Sequence, residues 1–412
     1  MNTVAVVGGG PAGMMAAYAA AMGGARVTLF EKNEKLGKKL FLTGKGRCNI
    51  TNARPQEEFF SNIPGNAKFL YSAFGALDNA ELLDLLARYG LQTKVERGGR
   101  VFPVSDKSSD VIRTLERMLR DAGVEVRLHA GVDRLLLREG RVAGVVREGH
   151  AIPFDAVILA CGGLSYPSTG STGEGYALAE AAGHTVQPLH PSLIPLVAKY
   201  PERCRAMMGL TLKNVRASLW ERGKCRFAEV GELLFTHFGL SGPLILSASA
   251  HIADYTFQDT CVRIDLKPGL DEAKLDARIL RDFQEAPNLQ LKTALGGLLP
   301  RGICGELLEA ANLNGQKPVN AVTREERRRL VQQMKAFQVP IVGTRSIDEA
   351  IITRGGVSLR EVNASRMQSK RCPGLYFAGE MLDVDAYTGG YNLQIAFSTG
   401  FLAGKSAAEN VN

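Results

Sequence analysis

Apolar positions over the first part of the chain fall into two patterns. Residues 3–7 and 26–31 are short runs dominated by Val, Leu and Phe, and between them lie a glycine cluster at 8–13 and a longer Ala/Met-rich stretch at 14–22. Short apolar runs bounded by glycine predict strands buried on both faces, and the longer stretch predicts a buried helix, so the chain opens as strand, turn, helix, strand. Residues 79–89 are the next predicted helix, with Asp78 as its N-cap, Glu81 three residues on and Gly90 as its stop. A further helix is expected between Ser108 and Ala122. Residues 124–128, 134–137 and 141–146 read as short strands and 156–160 as a fully buried one, all expected to continue the sheet begun at Thr3.

The texture changes at Gln187-Pro188, where His190-Pro191 and Ile194-Pro195 punctuate the chain. A discontinuous first domain is therefore expected over 1–190 and 341–412, with an inserted domain at 191–340. Within the insert, Val215, Ala217 and Leu219 alternate with polar residues, making 191–268 β-rich, whereas 269–340 is helical in pattern and broken at Pro287, Pro300 and Pro318. Near the end, residues 375–378 form a strand, followed by Gly379-Glu380, Asp383, Gly389-Gly390 and a helix from about Tyr391. The outline of residues 4–22 is thus repeated.

Those two turns carry the chemistry. Residues 8–13 read GGGPAG, a G-x-G-x-x-G after a strand and at the opening of a helix. Gly8 permits the turn, Gly10 lets a diphosphate approach the backbone, and Gly13 lets the helix sit close on the strand. Pro11 and Ala12 begin the helix, whose unpaired N–H groups and partial positive charge favour an anion. Glu31, beside Lys32, is placed to accept hydrogen bonds from an adenosine ribose. After Lys39, the loop Gly44, Lys45, Gly46, Arg47, Cys48 and Asn49 suits a diphosphate or a ribityl–flavin junction. Arg47 would favour a thiolate at Cys48, and a plain packing role for that thiol fits equally. Val132, Ala160, Cys161 and Gly162 are assigned to the nucleotide end. At the far turn, Gly379, Glu380 and Asp383 are expected to hold ribityl hydroxyls. Gly390, Tyr391, Asn392, Leu393 and Gln394 are expected against the redox-active ring, where a helix N-terminus would stabilise charge on reduced flavin. One long dinucleotide gripped from both ends of the chain favours FAD over a simple nicotinamide fold.

Composition narrows the picture. A chain of 412 residues with 45% hydrophobic content can bury a large core over two or three domains. Seven cysteines without a close pair fit reduced thiols and exclude the paired thiols of a flavin disulfide reductase, and no Cys/His spacing points to a metal. No apolar run is long enough for a membrane span and no leader pattern opens the chain, so a cytoplasmic protein is expected. The net charge of +8 favours anionic ligands, but its densest basic run, 324–329, follows a Thr323/Glu326 capping pattern and reads as a solvated helix face, so nucleic acid is not expected as a partner.

The motifs VAVVGGGPAGMMAA, LTGKGRCNITN, GGLSYPSTGSTGEGY, LLFTHFGLSGPLIL, TRGGVSLREV and GLYFAGEMLDVDAYTGGYNLQIAFSTG span nearly the whole chain. On them the chain resembles the BaiN-like, or aminoacetone-oxidase-type, family of FAD-dependent oxidoreductases, and it is distantly similar to fumarate reductase flavoproteins. The resemblance implies an α/β fold, a glutathione-reductase-type FAD-binding Rossmann-like domain interrupted by a β-barrel and helical insert. It also implies reduction of a conjugated C=C in an enone or steroid-like substrate, with NAD(P)H as a transient co-substrate and a small molecule bound in a cleft between the domains. Arg100 is a candidate to polarise a carbonyl or carboxylate, and His237, Tyr387 and Tyr391 to donate a proton. Two alternatives stand beside this reading: an amine oxidase passing electrons to oxygen, and an RNA-associated or regulatory FAD-binding protein.

Overall fold

Val4, Ala5 and Val6 are wholly inaccessible to solvent, as a strand flanked on both edges and covered on both faces must be. In the computed structural model, which describes residues 1–253 and 255–409, this strand, β1 (Thr3–Val7), runs parallel to Ala156–Leu159 on one side. On the other it runs parallel to β2 (Arg26–Phe30). Leu375–Phe377 and Glu125–Arg127 extend the parallel core outward, and Gln368–Ser369 with Val362–Asn363 add an antiparallel edge, giving seven strands. The fold is the expected Rossmann-type arrangement, with the returning C-terminal strand lying beside Ala156–Leu159.

Two helices cover the site-bearing face. Helix α1 (Pro11–Met22) follows β1, and the terminal helix, Tyr391–Glu409, lies directly on it. A Cβ on Gly400 would fall 2.2 Å from the Ala12 carbonyl oxygen, and one on Gly404 2.1 Å from that of Ala16. Small residues on both helices thus bring the two backbones together. Capping fixes the next predicted helix: Asp78 accepts from Glu81 N at 2.8 Å, Glu81 Oε2 accepts from Asp78 N at 2.9 Å, and the helix runs Asn79–Arg88.

One expectation about the main sheet fails. Arg134–Arg138, Arg141–Arg147 and His150–Pro153 do not extend the main sheet but form a separate antiparallel sheet of three strands. Two-residue turns at Glu139-Gly140 and Glu148-Gly149, all at positive φ, join them as successive hairpins. A parallel sheet needs a crossover between strands, which such turns cannot supply.

The chain divides into two units, Met1–Ser192 with Ile347 onward, and Leu193–Ser346. In the second, six strands close a barrel, in the order Leu196–Ala198, Gly239–Ser241, Lys224–Phe235, Thr211–Glu221, Thr260–Asp265 and Phe337–Thr344. Residues 337–340 belong to this last strand and not to the helical stretch in which they were expected. Buried Phe337, Val339 and Ile341 alternate there with exposed Gln338 and Val342, a period of two. The basic run is on the helix Arg324–Lys335, whose Thr323/Glu326 capping box is formed, and Arg327 is bound by Asp276 at 2.5 and 3.1 Å. Among the described residues no helix is long and apolar enough to cross a membrane.

Candidate functional site

The first glycine turn is held from three sides. Gly8 N donates to Phe30 O at 2.8 Å, and Gly9 N to Glu31 Oε2 at 2.7 Å. A Cβ on Gly8 would lie 2.4 Å from Ala160 O, and one on Gly13 1.8 Å from Gly8 O, so neither position admits a side chain. Gly10 differs: it is the N-cap of α1, no side chain caps that helix, and nothing lies within 4 Å of where its Cβ would be. With Pro11 and Ala12 starting the helix, the result is an open cradle of backbone N–H groups suited to an anion. Glu31 is 7% exposed, and its other oxygen accepts from Asn33 N at 2.8 Å and Asn33 Nδ2 at 2.7 Å. Its first task is therefore to tie the glycine turn to the end of β2, leaving only spare lone pairs for a ribose.

Around this turn, Lys32 Nζ donates to Thr172 Oγ1 at 2.7 Å and Glu174 Oε2 at 2.9 Å. Half-buried Val132 follows the segment that Ala130 N fastens to Glu31 O at 2.8 Å. Gly162 adopts φ of 77°, and Cys161 Sγ turns inward to Val7 O at 3.5 Å, where burial pushes its thiol up to about 12.

In the loop 43–49, Gly44 and Lys45 both have φ of 58° and Gly46 has 83°. Arg47 does not activate Cys48. Its guanidinium lies 4.1 Å over the Phe102 ring, donates to Asp106 at 2.8 and 2.6 Å and also pairs with Glu96; it holds the Glu96 carboxyl below its usual range, and Lys94 together with Arg47 does the same to Asp106. Cys48 is fully buried and its thiol is pushed up to about 12, so the packing role holds and the thiolate reading does not. Asn49 carries a buried Oδ1 with no hydrogen-bond partner. Such an atom is costly unless a ligand donor reaches it.

The far turn meets Lys39, on the helix before this loop, through contacts that no spacing in the chain reveals. Glu380 Oε2 accepts from Lys39 Nζ at 2.6 Å, and its Oε1 accepts from Ser165 Oγ at 2.9 Å and Thr353 N at 2.7 Å. Asp383 is partly buried, and burial pushes its carboxyl up. Asp385, not anticipated, is 6% exposed, accepts from Ser192 Oγ at 2.8 Å and is likewise pushed up by burial.

The start of the terminal helix departs from expectation at two positions. Tyr391 is buried, its ring 4.7 Å from Phe59 and nearly perpendicular to it, so it is a packed aromatic. Gln394 is inaccessible, accepts from Thr51 Oγ1 at 2.7 Å and donates to Ser398 Oγ at 3.0 Å and Leu77 O at 3.3 Å. Both side chains are engaged within the protein. Asn392 locks the preceding loop, accepting from Ala386 N at 2.9 Å and donating to Ala386 O at 2.7 Å, and Leu393 is partly buried. Gly390 has φ of 98°, and a Cβ there would meet Thr51 O at 2.3 Å, so the loop can approach Thr51–Asn52 only as glycine. Tyr387 is half-buried, with its N donating to Asn62 O at 3.0 Å. Arg100 is exposed on the same unit, whereas His237 is exposed on the barrel unit, its ring 5.0 Å from Phe238.

The uncapped helix, the open position over Gly10 and the orphaned Asn49 oxygen all fit a dinucleotide with a polar, hydrogen-bonding end. Among the described residues no group of three or more His, Cys, Asp or Glu side chains could hold a metal ion.

Comparison with known proteins places this arrangement. The HI0933-like protein Rossmann domain matches residues 2–406. The 3-dehydro-bile acid delta(4,6)-reductase of Clostridium scindens is 36% identical over 99% of this chain and 100% of its own length. The ribosomal RNA dihydrouridine synthase of Escherichia coli is 30% identical over 96% of this chain and 95% of its own. Among solved structures, 3-ketosteroid delta1-dehydrogenase from Sterolibacterium denitrificans shares the fold, with a TM-score of 0.55 at 14% identity over 100% of both chains. The full-length match and the nucleotide-binding turn agree: the chain belongs to the HI0933-like, BaiN-like family and is an FAD-dependent oxidoreductase.

Proposed function

We propose that the protein reduces a C=C bond conjugated to a carbonyl. The observation that carries this reading is the 36% identity that extends over the entire length of a bile-acid delta(4,6)-reductase. The E. coli relative supports it from another direction, since dihydrouridine is uridine with its carbonyl-conjugated C=C saturated. Chemically the two substrates share an electron-poor β-carbon and an α-carbon that must be protonated.

In this reading Gly10, Pro11 and Ala12 take the diphosphate on the N-terminus of α1, and Glu31 with Val132 and Cys161 borders the adenosine. Lys39, Gly44, Gly46, Asn49 and Glu380 hold the ribityl and ring end, Asn49 through its unpartnered oxygen. Bound there in its reduced form, FAD would supply two electrons and a hydrogen as a hydride for the β-carbon. Tyr387, whose backbone N–H is tied to Asn62 O, is the proposed donor of the α-carbon's proton, and hydride and proton together add H2 across the double bond. NAD(P)H is the proposed source of electrons.

A second reading keeps the chemistry and changes the substrate to a uridine in RNA. Two relatives of nearly full length favour it, the E. coli protein and the 28% identical one from Haemophilus influenzae, as does the net charge of +8.

The test is anaerobic. Protein with chemically reduced FAD is mixed with a 4-ene-3-oxosteroid, or with a uridine oligonucleotide, and the product is weighed. A gain of two hydrogens with return of the oxidised flavin spectrum is expected. Flavin that stays reduced with both substrates and is reoxidised only by air overturns the proposal. Parallel mixing of oxidised enzyme with NADPH and with NADH identifies the donor.

A further inference from the structure

The chain folds a short hairpin beside the site that neither the cofactor nor the reacting bond requires. Thr93–Glu96 and Arg100–Pro103 pair antiparallel, and Arg97-Gly98-Gly99-Arg100 form its tip. The tip is clamped. Ala53 N donates to Gly99 O at 2.7 Å, and the 1% exposed Asn52 donates through Nδ2 to Gly98 O at 3.0 Å. Gly99 has φ of 76°, and a Cβ there would lie 2.4 Å from Asn52 Oδ1, so only glycine lets the tip close on that amide. The same Asn52 Nδ2 donates to Gly389 O at 3.0 Å. One buried amide thus joins the hairpin tip to the glycine loop before the terminal helix.

Both arginines of this rigid tip face solvent. The nearby carboxylates are committed elsewhere: Glu96 and Asp106 bind Arg47, and Asp106 also accepts from Lys94 at 2.6 Å. Among the described residues no carboxylate lies within ion-pairing distance of Arg97 or Arg100. Arg100 Nε donates to Arg97 O at 3.1 Å and its guanidinium lies 5.9 Å over Phe102, which orients it, while Glu96 feels its charge from beyond ion-pairing distance. Residues 43–54 and 93–106 together hold six cations against two carboxylates. A fixed pair of guanidinium groups, neither held in a close ion pair, is a receptor for an anionic oxygen group.

We infer that Arg97 and Arg100 bind an anionic group of the substrate, a carboxylate or a phosphodiester, carried away from the C=C to be reduced. This inference rests on the reductase reading for the location of the reacting bond and on the hairpin alone for the charge. Arg100 then acts as an anchor for the substrate and not as the group that polarises its reacting carbonyl.

The test is equilibrium binding to the FAD-loaded protein, using a 4-ene-3-oxosteroid with a carboxylate side chain, its methyl ester, and a short uridine oligonucleotide, each at low and high salt. The R97A/R100A variant is expected to bind the acid or the oligonucleotide about tenfold or more weakly, as the loss of charge-assisted hydrogen bonds implies, and the ester unchanged. The difference should shrink at high salt, and R97K/R100K should recover part of it. Whichever anion shows the loss identifies its source. R324A/R328A, removing the same charge from a helix of the barrel unit, is expected to change nothing. Equal affinities of wild type and R97A/R100A for both anionic probes overturn the inference, as does an equal loss with the ester. A probe bound in this charge-dependent way but never reduced leaves the inference standing and removes the reductase reading instead.

Discussion

Lys39 and Glu380 stand 341 positions apart in the chain, and their charged ends meet at 2.6 Å. Each side chain is only about a fifth exposed, at 22% and 20%. K39M would strand a mostly buried carboxylate whose remaining partners are Ser165 and the Thr353 N–H. A loss of about 1–3 kcal/mol is expected, below the fully buried case because solvent screens part of the charge. Urea unfolding of FAD-loaded and stripped protein measures it, and K39R should lose less.

Two glycines of one motif should separate folding from cofactor binding. At Gly13 a methyl group would collide with the Gly8 carbonyl, so G13A is expected to cost about 1–3 kcal/mol even without cofactor. At Gly10 a methyl group meets nothing, and φ is an ordinary −78°. G10A should unfold within about 0.5 kcal/mol of wild type. It should nevertheless purify with little yellow colour, because its methyl group fills the space above the helix N-terminus. Flavin absorbance together with a thermal melt distinguishes the two.

Thiol reactivity should follow burial and ignore neighbouring charge. Cys48 and Cys161, both pushed up to about 12, remain protonated at pH 8, whereas Cys225 is exposed. Iodoacetamide at pH 8 should therefore label Cys225 first and spare Cys48 and Cys161 in the folded protein, as peptide mass spectrometry would record.

Acid should weaken the FAD-binding unit through His184. Its ring is packed 4.7 Å from Phe377, with Nε2 2.7 Å from Ser369 Oγ, and Glu361 Oε2 lies 3.4 Å from Nδ1 without hydrogen-bond geometry. Burial lowers its pKa from 6.5, outweighing the opposing pull of Glu361, and Arg371 adds to the lowering. The unfolded chain thus takes up a proton that the folded one resists. Stability present above pH 6.5 is lost as pH falls below it, by at most about 1.4 kcal/mol per pH unit. H184Q should flatten that slope in urea titrations between pH 7 and 5.

What could be seen in advance follows the range of the physics involved. The glycine turn, the Asp78/Glu81 cap and the parallel strands are local, and each shows in a few consecutive residues. Asn52 between Gly98 and Gly389, and Glu380 among Lys39, Ser165 and Thr353, depend on residues from 27 to 341 positions apart, and no period marks them. The strands at 134–137 and 141–146 were assigned to the wrong sheet because apolar content alone does not say which neighbour a strand pairs with; the Glu-Gly turns do. The burial of Tyr391 and Gln394 went unseen for a different reason. Together with Ser398 they follow helical spacing and lie on the buried face, and that spacing was available as a sign that these side chains turn inward.

The contact of Gly400 and Gly404 with the backbone of α1 has a consequence for how the protein is made. The nucleotide-binding turn leaves the ribosome ahead of the barrel unit, and the helix that covers α1 follows that unit. Until Tyr391–Glu409 is made the Ala-rich flank of α1 stays bare, and the barrel unit must be completed before that flank is sealed. A nascent chain stalled before residue 391 should therefore carry the glycine turn on a helix whose packing surface is still uncovered.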